Sequence, residues 1–137
     1  MHDAARHIAD HCLLMRARRL ARVATRTYVD EMAHLGLSVG QFSVLVAVGT
    51  QPGVRAADLV GALDLERSTL SRELAALVAD GLVHTERVDG RSQALHLTDA
   101  GAARLDAALP AWERAQQTTQ AMLGDLAEGL LTRFPPG

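Results

Sequence analysis

With 137 residues, 48% of them hydrophobic, the chain is long enough for one domain with a real core and too short for two. All 14 basic residues are arginine and 16 acids outnumber them, so a net charge of −2 excludes a surface basic throughout, and any nucleic-acid contact has to come from a local patch. The single cysteine, Cys12, excludes an intrachain disulfide and a zinc site of four cysteines within one chain. An acidic, histidine-bearing N-terminus unlike a signal peptide, with no apolar run of roughly 18 residues, predicts a cytoplasmic protein that does not enter a membrane.

Leu13, Ala17, Leu20, Ala24, Tyr28, Met32 and Leu35 recur at steps of three and four, which predicts one long amphipathic helix over residues 4–35. Gly36 breaks it. Ser38 followed by Gln41 makes a capping box for a second helix over 39–49, which "GTQPG" stops. A short helix over 56–63, the link "LDLE" and a fourth helix from 65 or 66 to 79, closed by Gly81, form a helix-turn-helix. "LVHTERV" and "SQALHLT" around Asp89-Gly90 predict a β-hairpin. Thr98 then caps a helix with Asp99 at its positive end. That helix runs to about residue 123, with Pro110 expected to kink or divide it. A short helix over 125–133 and a frayed "FPPG" tail finish the chain. No repeat, low-complexity segment or long linker interrupts a single domain.

The fourth helix carries the sharpest signal. Leu70, Leu74 and Leu77 share a narrow arc that anchors it to the core. Ser68, Arg72, Ala75 and Ala79 lie opposite, with Thr69 and Ser71 on the flanks. Small residues permit close approach, and hydroxyls with an arginine at the helix start can donate to phosphate oxygens or base edges in a major groove. A solvated, serine-rich helix start reads as well on this segment alone. The hairpin decides between the two: its tip "RVDGRS" brings Arg87 and Arg91 to a turn that would flank the helix on DNA, and a helix-turn-helix followed by such a hairpin is a winged helix.

"GLSVGQFSVL", "ADLVGALDLERSTLSRELAALVADGLV" and "DGRSQALHLTDAG" resemble the MarR family of bacterial transcriptional regulators over nearly the whole chain. The resemblance implies a mainly α (α+β) fold, a winged helix-turn-helix over residues 37–98 carried by helical dimerisation regions at 1–36 and 99–137. It implies a homodimer on double-stranded DNA with a pseudo-palindromic operator, most often a repressor released by a small-molecule effector. Ser68, Thr69, Ser71 and Arg72 would then contact groove or backbone, Arg91 the minor groove, and Asp89 would orient Arg91. Arg67 would meet phosphate or pair with Glu66 or Asp64, and Arg87 is similar. Two departures stand out: the wing tip has a single arginine after its aspartate, and the final helix is short, which shifts the dimer contact toward the first helix and "AALPAWERAQQ", with Trp112 expected in that interface.

Other constellations give weaker expectations. Arg18, Arg22 and Arg26, with Arg16 and Arg19 beside them, form a basic stripe that reads as a solvated or partner-paired face before it reads as an anion site. Arg16, Arg19, Tyr28 and Trp112 are the candidate ligand-pocket residues. His7 and His11 have metal-ligand spacing next to Cys12, but further ligands would have to come from His84, His96 or a second subunit, so no metal is assigned. Cys12 is the redox candidate, since some relatives that sense hydroperoxides carry a lone cysteine near the start of the first helix; a packing role is the simpler reading. Gly40 stands where those sensors tend to have a second tyrosine. No phosphate loop, nucleophile elbow or paired carboxylates support an enzyme, and no cofactor is implied. The rivals to a ligand-released repressor are a metal- or thiol-responsive regulator of the same fold, and a winged helix used only for protein contacts.

Overall fold

The structure, a computed structural model, describes residues 3–90 and 92–136. The predicted first helix is two: α1 (Asp3–His11) and α2 (Leu13–Met32), with Cys12 extended between them at φ −72, ψ 115. The break is stabilised locally. The carbonyl of Ala9, which an unbroken helix would pair with the Leu13 amide, accepts from the Arg16 guanidinium, and the His11 ring hydrogen-bonds to the His7 carbonyl at 2.8 Å. A turn of 3-10 helix (Ala33–Leu35) ends at Gly36, whose φ of 68 is open to glycine at little cost.

The capping box forms as expected. The Ser38 hydroxyl accepts from the Gln41 amide at 3.0 Å, and the Gln41 side chain accepts from the Ser38 amide at 3.2 Å, opening α3 (Val39–Thr50). Val44, Leu45 and Val48 make α3 the centre of the core, packed with Leu59, Leu70, Leu77, Val83 and Leu95. Gly53 (φ 86) then turns the chain into a two-residue strand that periodicity does not reveal, β1 (Val54–Arg55). The helix-turn-helix follows as α4 (Ala56–Ala62), a turn with Asp64 at φ 52, and α5 (Arg67–Ala79). Gly81 closes α5 through bonds from its own amide to Val78 and from the Leu82 amide to Leu77, the paired pattern of a left-handed C-cap.

The hairpin is β2 (Val83–Arg87) and β3 (Gln93–Leu97), and β1 adds to the other edge of β3, giving an antiparallel sheet of order β1-β3-β2. Its connection is longer than a two-residue turn on Asp89-Gly90: the Val88 amide bonds to the Ser92 carbonyl at 3.0 Å, and the Asp89 carboxylate accepts the Ser92 amide at 2.9 Å.

Thr98 joins this winged unit to α6 (Asp99–Leu123). Its hydroxyl accepts the Gly101 amide at 3.0 Å and donates to the Gly81 carbonyl at 2.6 Å, so one side chain caps α6 and ties it to the end of α5. Thr98→Ala is expected to cost about 1–2 kcal/mol in urea unfolding, with Thr98→Ser recovering most of it. Pro110 neither divides nor ends α6. Proline removes the bond to the Asp106 carbonyl, but both residues are exposed, so water can serve that carbonyl. Ala108, Ala111 and Ala115, buried on the adjoining face, hold both halves against α2.

The two long helices run antiparallel: Arg104 donates to the Leu35 carbonyl, Arg114 to the Glu31 carboxylate at 2.9 Å, and Tyr28 to the Gln116 side chain. The start of α2 and the end of α6 therefore lie remote from the winged unit, and the final helix, α7 (Leu126–Arg133), leads to a tail whose Pro136 stands beside residues of α3, α4 and α6. No single helix among the described residues is long and apolar enough to cross a membrane.

Candidate nucleic-acid interface

Leu70 and Leu77 are buried and Leu74 half-buried, fixing one side of α5 on the core. The opposite side is open: Ser68, Ser71, Arg72, Ala75 and Ala79 are exposed, and Thr69 is half-buried at the flank. Glu66 precedes the helix without a side-chain cap, so the first amides of α5 remain directed outward with the positive end of the helix dipole.

Pairing decides which charged groups on this surface are available to a partner. Residues 55–98 hold five arginines and seven acids. Three of the acids are engaged by the protein itself: Glu73 accepts the Ser38 hydroxyl at 3.1 Å, Glu86 lies 3.5 Å from the His96 imidazole, and Asp89 meets Arg55 at 3.9 Å besides the Ser92 amide. The ion pairs found among the described residues include none of Arg67, Arg72 or Arg87, all of which are exposed. Arg67 thus pairs with neither Glu66 nor Asp64. Arg67, Arg72 and Arg87 are available as donors, with Arg55 held by Asp89 and the Glu73 carboxylate keeping its charge against a neutral hydroxyl.

At the wing, Asp89 shapes the turn through Ser92 and Arg55, while Arg91 lies outside the described residues. Sequence reasoning missed Arg55: it sits on a strand too short for any period, yet β1 pairs it with Ala94 and holds it at the base of the wing. It also missed Glu73, which Gly40 admits. A Cβ at Gly40 would come within 3.2 Å of the Glu73 carboxylate, so this position has no room for a tyrosine unless Glu73 moves.

The remaining candidates fall elsewhere. Arg16, Arg18, Arg19, Arg22 and Arg26 are exposed on α2 and enter none of the ion pairs among the described residues. Tyr28 bridges to α6 rather than lining a cavity, and Cys12 is half-buried at the helix break. The His7 and His11 rings lie 4.6 Å apart, and His84 and His96 stack on each other across the hairpin, 5.1 Å between centroids. Among the described residues no three of His, Cys, Asp and Glu converge on a point that could hold a metal.

A half-open cavity of about 850 Å³ lies between α3, α4 and α6, with Pro136 of the C-terminal tail among its lining residues. Phe42 and Val46 of α3, Leu59 of α4, Leu63 after it, and Leu109 and Trp112 of α6 form its apolar walls. Trp112 is the one ligand-pocket candidate that reaches it; Arg16, Arg19 and Tyr28 do not. Trp112 stands in this wall with Leu105 and Leu109 of the same helix.

The family model described as MarR family matches residues 35–92. A regulator of that family from Silicibacter pomeroyi is 32% identical, covering 85% of this chain and 86% of its own, with a TM-score of 0.65. The chain belongs to the MarR family. The Mycobacterium tuberculosis transcriptional regulator MosR, solved in complex with DNA, is 32% identical to this MarR-family chain over 84% of it and 85% of MosR, with a TM-score of 0.72. A proposed transcriptional regulatory protein for the hcr operon of Thauera aromatica is 29% identical over 116 residues; the chain spans 66% of that curated relative's length. Membership makes this a transcriptional regulator with a winged helix and not an enzyme.

Proposed function

We propose that the chain is a homodimeric repressor that sets α5 of each subunit into a major groove of a pseudo-palindromic operator, and that a small molecule in the cavity beside α6 releases it. The observation that carries this reading is the open side of α5, where Ser68, Ser71 and Arg72 stand exposed on a helix whose other side is locked in the core. Thr69 and Arg67 flank them, and Arg87, Arg91 and the turn organised by Asp89 would follow the adjacent backbone or minor groove. The MosR complex with DNA supports the assignment.

Dimerisation rests on exposed area. The chain exposes 9593 Å², whereas an ordinary compact monomer of 14.6 kDa exposes roughly 6,900 Å². The most exposed large apolar side chains are Leu13 at the start of α2 and Phe134 and Leu131 at the end of the chain, 83%, 73% and 66% exposed. A surplus of that total area is of the order that obligate dimers remove from water. The cavity lies between the helices that would form the dimer and the unit that would hold DNA, so a ligand there can change the spacing of the two α5 helices.

Sedimentation should return twice 14.6 kDa. Footprinting on a duplex selected from a random library should show two protected half-sites centred about one helical turn, roughly 10 base pairs, apart. A monomeric species with a single protected segment would contradict the reading.

A further inference from the structure

The cavity beside α6 is unusual in its charge. Its walls are apolar, and the polar groups among its lining residues are Ser43, Thr50, Gln51 and the carboxylate of Asp106; no arginine or histidine is among them. The two arginines nearest on α6 are turned to another face, Arg104 donating to the Leu35 carbonyl and Arg114 to Glu31. About 850 Å³ suits one drug-sized molecule.

An organic anion entering this space would give up hydration, find no counter-charge and face the Asp106 carboxylate. A cation meets the reverse. Asp106 is exposed and stands at the edge of the α6 face that carries Leu105, Leu109 and Trp112. An apolar body could therefore bury against those walls while its charged end stays half-hydrated beside the carboxylate. The rings of Phe42 and Trp112, both lining the cavity, would add attraction for a positive charge through their π faces.

We infer that this cavity takes an apolar molecule bearing an ammonium group, held at the rim by Asp106, and discriminates against organic acids of the same shape. The inference rests on the reading of the cavity as the effector site. Trp112 is the only tryptophan of the chain, so its emission reports occupancy without a label.

The full chain is titrated with naphthylmethylamine, naphthylmethanol and naphthoic acid, following Trp112 emission and the heat of binding. The amine is expected to bind at least about tenfold more tightly than the acid, with the alcohol between them. In Asp106→Asn the amine should fall to the level of the alcohol while the alcohol is unaffected. Equal or tighter binding of the acid overturns the inference, as does an amine preference that survives in the variant. If none of the three compounds binds, the effector-site reading falls with it, whereas binding of the alcohol without an amine preference removes only the ammonium class.

Discussion

Gly101→Ala is expected to destabilise the folded chain by about 3 kcal/mol, the upper end of what overpacking costs. A Cβ at this position would stand 2.1 Å from the Leu82 carbonyl oxygen and 3.0 Å from its carbon. Neither atom can swing aside. The Leu82 amide is bonded to Leu77 at the end of α5, its carbonyl accepts the Thr98 amide at 3.1 Å, and its side chain is buried. Gly101 itself is fixed by the Thr98 cap. The clash therefore has to be relieved by moving α6 away from the start of β2. Gly61→Ala supplies the control with opposite sign: nothing lies within 4 Å of its added Cβ and its backbone is helical, so stability should hold or rise by up to about 1 kcal/mol. Urea unfolding of the two variants decides the matter; a loss below about 1 kcal/mol for Gly101→Ala would mean that this approach of backbone to backbone is not as close as described.

The same joint shows what the sequence makes legible. Thr98, Asp99 and the glycine after them announce a helix start by local chemistry, and the capping box at Ser38 does so equally. The two-sidedness of α5 is legible for the same reason, since leucines at helical spacing fix which side faces out. What depends on distant groups is not. The break at Cys12 falls just before the apolar repeat that starts at Leu13, with no glycine or proline to announce it, and α1 is capped by a side chain four residues beyond the break. β1 exists because β3 offers it an edge, and Arg55 acquires a place near the wing only through that pairing. α6 passes Pro110 intact because packing on α2 outweighs one missing hydrogen bond. The cavity is assembled from the neighbouring helices α3 and α4 and the distant α6, so neither its walls nor Asp106 could be found by reading along the chain.

Arg72→Ala is expected to cost about 1–3 kcal/mol of affinity for the selected operator while barely changing affinity for random duplex, because a base-reading side chain contributes to one and not the other. Arg67→Ala should behave differently. Set at the first turn of α5, beside uncapped amides, it is placed for phosphate, and its loss should weaken both duplexes alike and lower the salt slope by about one. The pair separates DNA recognition from a winged helix that only contacts protein. Binding through a handful of arginines on a chain of net charge −2 must fall steeply as salt rises, since little else on that surface holds phosphate. Should operator affinity be indifferent to salt, or unchanged in Arg72→Ala, the open side of α5 is serving another partner, and the small residues Ala75 and Ala79 beside Arg72 would then be fitted to a protein surface instead of a groove.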